Sequence, residues 1–246
     1  MFNLEQKGKA LDIYLYDIIG NFMGEGVSAK QFAKALEPHA DVEQINLYIN
    51  SPGGIVWDGV SIYNILKRHK ANVTAYVDGL AASIASLILQ AGDTRVIAEG
   101  ALVMLHKPWS FVVGNSQAML NEAIELDKIE DSLVDIYVKR SGKSAEDVKA
   151  FLKGEDGADG TYFDSSEAQA AGLVDSISEA KKQAALDSSM LDKFDWTKNI
   201  KSKLTVSEAE EKEKIEDEKQ ETENKQEQQA DAEVLAKLDS IINTLK

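Results

Sequence analysis

The sequence predicts an α/β fold, a parallel sheet whose strands are joined by helical crossovers. Three observations carry that expectation. Between residues 11 and 152 short apolar runs alternate with stretches of helical period. The breaks between them fall on Gly, Pro, Ser and Asn, the residues that end strands and cap helices. With 43% hydrophobic residues in a chain of 246, there is enough apolar surface for one sizeable core. Strand–helix–strand alternation is the pattern of parallel βαβ units.

In chain order, LDIYLYDII (11–19) alternates like a strand, and SAKQFAKALEPH (28–39) reads as a helix opened by a Ser cap and closed at Pro38. INLYIN (45–50) is a second strand, ended by the breaker SPGG. WDGVSIYNILKRHK (57–70) has Val60, Ile62, Tyr63, Ile65 and Leu66 on one helical face. NVTAYVD (72–78) is a third strand, and SIASLILQAG (83–92) a third helix stopped by Gly92. Strand-like runs follow at 94–98 and 101–106, then a long amphipathic helix at about 116–140 and a short one at about 144–152.

Composition changes near residue 180, dividing the chain into a globular domain at 1–180, a linker at 181–204 and an acidic tail at 205–246. The tail holds 13 acidic and 6 basic residues and lacks aromatics, Gly and Pro. Such a stretch does not bury enough apolar surface to fold alone. At its end Val234, Leu238, Ile241 and Leu245 are spaced as an a/d seam, about two heptads long, which fits either a short oligomerising helix or a frayed end.

Several function classes drop out early. The chain has no cysteine, so thiolate nucleophiles, disulfides and Cys-rich zinc sites are excluded. A net charge of −15 argues against a nucleic-acid partner, because phosphate binding needs a basic surface. The N-terminal MFNLEQKGKALDIYLYD lacks a signal-peptide layout, and no apolar run reaches the roughly 18–20 residues of a membrane helix. A soluble, cytoplasmic protein without cofactor or metal is expected.

Without cysteine, a conventional nucleophilic mechanism needs a hydroxyl and a His base. Three His exist. His39 lies in the polar connection EPHAD, and His69 among Lys67, Arg68 and Lys70 at a helix end, where a cation complements the dipole. His106 ends the run ALVMLH, so its strand delivers an imidazole to the sheet's carboxyl edge, where open α/β sheets bind ligands. Ser83 follows DGLAA and opens a helix, among unpaired N–H groups that favour negative charge on a substrate oxygen. From the residues alone Ser83 reads as a helix cap or a nucleophile, and His106 as a structural residue or a base. Ser86, one turn on, is the rival nucleophile, or a packing residue. NSPGG (50–54) follows the neighbouring strand on the same edge, and its two glycines can expose backbone N–H groups or simply turn the chain.

INSPGG, GLAAS about 25 residues later, LVMLHKP some 20 further on, and then SSEAQAAGLVDSI resemble the successive signatures of the Clp protease proteolytic subunit, over roughly residues 10–180. SAKQFAKAL, SIYNILKRHKANVTAYVDGLAAS and HKPWSFVVGN look closest to the Clp-like proteases of phages and prophages that act in head maturation. The resemblance implies a spiral of βαβ units, shared with the crotonase enzymes. It implies that Ser83 attacks the scissile carbonyl, that His106 relays the proton, and that the Gly54 and Ile84 amides form the oxyanion hole. It implies oligomeric rings, with the strand around ALVMLHKP and the helix after it as binding groove and ring-to-ring handle. Protein or peptide substrates are implied too, with capsid or scaffold proteins as partners and a bacterial host cytosol as location if the chain is phage-encoded.

Three departures stand out. Matching the family's acidic position on Tyr162 lands on Gly160, so the third triad member is expected one step earlier at Asp159, with Asp156 second, or is absent; Asp164 is also near, and Asp175 matches a non-catalytic position. Only about ten residues precede the first expected strand, which argues against dependence on an ATPase. The acidic tail suggests a scaffold-like segment that is removed or places the enzyme inside a shell. Two other readings compete: a non-catalytic ring or scaffold subunit that kept the fold, and a crotonase-type acyl-CoA enzyme.

Overall fold

The computed structural model describes residues 2–21, 25–155 and 158–178. The expected linker, the acidic tail with its seam, and Asp156 lie outside the described residues. The chain divides into two units, Met1–Trp196 and Thr197–Lys246, and the described residues all belong to the first.

The α/β expectation holds. The strands are β1 (Phe2–Lys7), β2 (Ala10–Leu15), β3 (Gln44–Ser51), β4 (Asn72–Ala82), β5 (Thr94–Ala98), β6 (Leu102–Leu105), β7 (Thr161–Phe163) and β8 (Ser176–Ser178). The helices are α1 (Ala29–Leu36), α2 (Val56–Arg68), α3 (Ile84–Leu89), α4 (Ser116–Ser141), α5 (Ala145–Lys153) and α6 (Ser165–Ala170). Among the described residues these strands form one sheet whose main path is β1-β2-β3-β4-β5-β8, with β6 paired to β4 and β7 antiparallel to β6. From β2 to β8 every neighbour on that path is parallel. Alternate residues of the central strands (Leu11, Ile13 and Leu15; Ile45, Leu47 and Ile49; Val73, Ala75 and Val77) are buried in one core with Phe32 of α1, Ile62 and Leu66 of α2, and Leu87 of α3. Transferring each large side chain from water contributes about 1.5–3 kcal/mol.

The opposite face of the same strands is aromatic and polar. Tyr14, Tyr48 and Tyr76 are directly in register across β2, β3 and β4. Their rings stack at 4.9 and 5.0 Å, and each pair contributes about 0.5–1.5 kcal/mol beyond its buried area.

Three boundaries differ from the sequence reading. The first strand ends at Leu15, not at 19, because Ile19 leaves the ladder to bridge Val27 and Gly54. The ten residues ahead of it contain a strand: β1 pairs antiparallel with β2 around a turn at Gly8, whose φ is 63°. Finally, β4 runs on to Ala82. Its first half pairs with β5 (Thr74 to Val77) and its second half with β6 (Leu80 to Ala82). One long strand thus splits the sheet into two directions, and its far end, with β6, forms the platform of the site.

The C-terminal part of the described chain is tied to β5 by charge. Arg95, 5% exposed, donates Nε and an Nη to the two carboxylate oxygens of Asp175 at 3.2 and 2.5 Å, and its other Nη to Gln90 Oε1 and the Gly172 carbonyl. Partial burial pushes the Asp175 carboxyl up, but the Arg95 bonds outweigh it and hold the group below the usual carboxylate range. With the folded pKa depressed, this stabilisation is present above the unfolded value near about 4 and is lost as pH falls through the folded one. Asp175→Ala leaves a buried guanidinium without its carboxylate. It should cost about 2–4 kcal/mol at pH 7, read as a lower urea midpoint, and the difference from wild type should shrink as pH falls below about 4.

Candidate active site

Two parallel strands deliver the two groups that the sequence singled out. Leu80, Ala81 and Ala82 of β4 stand beside Leu102, Val103 and Met104 of β6. The Ser83 N–H continues that ladder, donating to the Met104 carbonyl at 2.9 Å. Ser83 is thus held level with the end of β6, and His106 follows one residue beyond it. The Ser83 Oγ and His106 Nε2 lie 2.7 Å apart.

Ser83 does not behave as an ordinary cap. It occupies the N-cap position of α3, but its side chain caps nothing. Its backbone has φ 53° and ψ −130°, and among the described residues it is the one non-glycine with positive φ. Holding an L-residue there costs about 1–3 kcal/mol. The turn aims the hydroxyl away from the helix amides and at the imidazole. Ser86 is fully buried inside α3, where its Oγ donates to the Ser83 carbonyl at 2.7 Å and lies 2.8 Å from the Tyr137 hydroxyl. It is packed inside the helix, with its proton directed at that carbonyl.

His106 is 7% exposed. Burial lowers its pKa, and the nearby Asp159 carboxylate acts in the opposite sense without overcoming it. The imidazole is therefore neutral at pH 7, as a general base must be. Asp159 Oδ2 stands 3.5 Å from His106 Nδ1, and the Asp159 side chain is 66% exposed. A shortening of about half an ångström turns this approach into a good hydrogen bond. The family match on Tyr162 falls on Gly160, where the backbone leaves no room for a side chain. Gly160 has φ 90°, and a Cβ there would lie 2.1 Å from the Leu105 carbonyl oxygen and 2.5 Å from His106 Cβ. No side chain fits at residue 160, and the carboxylate that stands 3.5 Å from the imidazole belongs to residue 159.

The other candidates fall elsewhere. Asp164 caps α6, accepting from the Glu167 amide at 2.8 Å. His39 Nδ1 bonds Gln6 Oε1, and His69 Nδ1 accepts from the Ala71 amide, so both are local structural groups.

The NSPGG segment wraps against Ser83. Ser51 pairs with Ala81, and a Cβ on Gly53 would stand 2.6 Å from Ser83 Cβ. Gly54 is exposed and joined to Ile19 by a parallel bridge. In that bridge Ile19 donates to the Gly53 carbonyl and Ile55 donates to the Ile19 carbonyl, each at 2.8 Å. These bonds leave the Gly54 N–H outside the bridge. Ile84 opens α3, so its N–H has no acceptor one turn earlier within the helix. The sequence reading named Gly54 and Ile84 for the oxyanion hole, but it gave Gly53 and Gly160 no steric role. Their signal was present only as glycine where a family position would carry a side chain or where two backbones meet.

Among the described residues no helix is long and apolar enough to cross a membrane. The model of the Clp protease family matches residues 4–181, a span that holds Ser83, His106, Asp159 and both glycines of the 50–54 turn. With nearly three quarters of its length matched and a mostly parallel, split sheet beneath it, the chain belongs to the Clp protease family, a family of serine-type peptidases.

Proposed function

We propose that the chain is a serine endopeptidase in which Ser83, His106 and Asp159 act together. The observation that carries this is the 2.7 Å contact between Ser83 Oγ and His106 Nε2, made by a serine whose strained backbone serves no capping bond. His106 takes the Ser83 proton as Oγ attacks the scissile carbonyl, then returns it to the leaving amine. Asp159 orients the ring from Nδ1 and stabilises the imidazolium. The Gly54 and Ile84 amides receive the oxyanion, the first from the turn and the second from the helix start. Water then repeats the sequence on the acyl-enzyme. A fluorophosphonate should label Ser83 once per chain, seen as a mass shift on the peptide containing it. An intact chain with Ser83 unlabelled refutes the reading.

The pH profile follows from His106. Its pKa lies below the ordinary 6.5, and only the neutral ring is a base, so cleavage should rise with pH to a plateau, with the midpoint of the acid limb below pH 6.5. Asp159→Asn removes the group that raises this pKa. The acid limb should then move to lower pH, and the plateau should fall by about 10²-fold. That is less than the roughly 10⁴ lost with a buried triad acid, because Asp159 is exposed and 3.5 Å away. An acid limb that moves upward or stays in place removes Asp159 from the site.

The ring reading is supported by the apolar residues left uncovered on one chain. Trp109, Phe111 and Val113 are 66, 85 and 82% exposed, and Met119, Leu120 and Ile124 of α4 follow them. A cluster of that kind marks a binding or assembly surface. It fits a homo-oligomer that covers α4 and leaves the segment before it to bind an extended peptide. Native mass spectrometry should find a ring and no monomer. A head-maturation role, with capsid or scaffold proteins as substrates, rests on the wording of SAKQFAKAL and HKPWSFVVGN and on the acidic tail. A chain ending at residue 204 that enters proheads as well as the full chain argues against the tail's part in it.

A further inference from the structure

The Ser83 side chain points at His106 only while its backbone keeps φ 53° and ψ −130°. Those two angles are set by the peptide planes on either side of Cα. The plane before it is pinned by the Ser83 N–H bond to the Met104 carbonyl, 2.9 Å. The plane after it is pinned through the Ser83 carbonyl, which accepts from the Ser86 N–H at 3.0 Å and from the Ser86 Oγ at 2.7 Å. A serine hydroxyl has one proton, and here it goes to the Ser83 carbonyl. The 2.8 Å contact between Ser86 Oγ and the Tyr137 hydroxyl therefore has Tyr137 as donor. Tyr137 lies on α4 and is 3% exposed; burial pushes its hydroxyl pKa up, so it keeps its proton across the working pH range. The same turn is gripped further along by Gln90, fully buried, whose Nε2 donates to the Ser86 and Leu173 carbonyls.

From this series of bonds we infer that Ser86 and Tyr137 form a two-hydroxyl relay that holds the strained elbow of Ser83 in its productive conformation, with α4 as its anchor. They are positioning residues: neither touches the reacting atoms, and both act through the Ser83 carbonyl. The inference rests on Ser83 being the nucleophile.

Ser86→Ala, Tyr137→Phe and the double variant test it. Ser86→Ala removes the stronger bond on the carbonyl and orphans the Tyr137 hydroxyl, so it should lower kcat by about 10- to 100-fold with KM unchanged. Tyr137→Phe leaves Ser86 able to donate and should cost only a few-fold. In the double variant no hydroxyl is left buried and unpaired, so its melting temperature should recover above that of Ser86→Ala. Its kcat should stay at the Ser86→Ala level, because the two residues act in series. The acid limb of the pH profile should not move in any of them, since the relay does not reach the imidazole. A merely structural role predicts the reverse, with kcat recovering alongside the melting temperature, and that result overturns the inference. So does wild-type kcat in Ser86→Ala. A crystal structure of Ser86→Ala gives a readout that needs no activity. The elbow should relax, and the Oγ–Nε2 distance should open beyond about 3.5 Å. An unchanged elbow and contact overturn the relay even if cleavage falls. A wild-type chain that no fluorophosphonate labels overturns the peptidase reading instead, and the crystal structure still decides the relay.

Discussion

Ser83→Ala should lower peptide cleavage by on the order of 10⁴-fold or more while leaving the fold in place. The size follows from the site. Among the described residues the one other hydroxyl within a turn is Ser86, and its proton is committed to the Ser83 carbonyl. It is fully buried, so it does not substitute as nucleophile. The fold survives because Ser83 contributes no cap and no core contact to α3; its side-chain bond is to His106. The strain gives a second arm. At φ 53° alanine keeps the cost of an L-residue, whereas glycine does not. Ser83→Gly should therefore be as inactive as Ser83→Ala and melt at a higher temperature, a stability gained by giving up function. Assays with a fluorogenic peptide and calorimetry on both variants check the two halves. Residual cleavage near wild type in either variant would move the nucleophile elsewhere. Equal melting temperatures would remove the strain.

The parallel α/β core was legible because its signal is local. Ile45, Leu47 and Ile49 alternate with Asn46 and Tyr48, and the period alone puts the first set on the helix-covered face. What the period did not reveal is where a strand changes partners. Nothing in NVTAYVDGLAA announces that its first half pairs with β5 and its second with β6; Gly79 and the run of small residues looked like a loop. That is a property of neighbouring strands, and it is what sets Ser83 beside His106. β1 went unread for a different reason. Its inward face consists of only Phe2 and Leu4, which pack against the core, and two apolar positions are too few to show a period.

The site followed the same division. Ser83 and His106 were found by elimination and by resemblance, and their spacing of 23 residues required the β4–β6 pairing to bring them together. That the carboxylate near His106 comes from Asp159 and not from residue 160 is a matter of packing, the absence of room for a side chain at Gly160. Tyr137 was invisible in the sequence. A tyrosine on the apolar face of a long helix reads as core, and it is core; its hydroxyl gains a meaning only from Ser86 opposite it.

The oxyanion assignment is open to a comparably large test at Gly54. At φ 147°, a Cβ on this residue would lie 2.0 Å from the Ile19 carbonyl oxygen. That oxygen is not free to retreat, because it accepts the Ile55 N–H at 2.8 Å and closes the Ile19–Gly54 bridge. Gly54→Ala must therefore move the turn, and with it the amide that faces the reacting carbonyl. Loss of one such donor lowers kcat by about 10²–10³-fold. A generic glycine penalty does not account for this, and Gly142→Ala is the control. Gly142 ends α4 at φ 72° with nothing within 4 Å of an added Cβ, so its substitution should cost about 1 kcal/mol of stability and none of the activity. Donors aimed at an oxyanion are used only when the carbonyl becomes tetrahedral. Gly54→Ala should thus weaken a peptidyl boronate far more than it raises KM for the matching peptide. Equal losses for the two would mean that the turn merely binds substrate, and the oxyanion would then have to be held by the Ile84 amide alone.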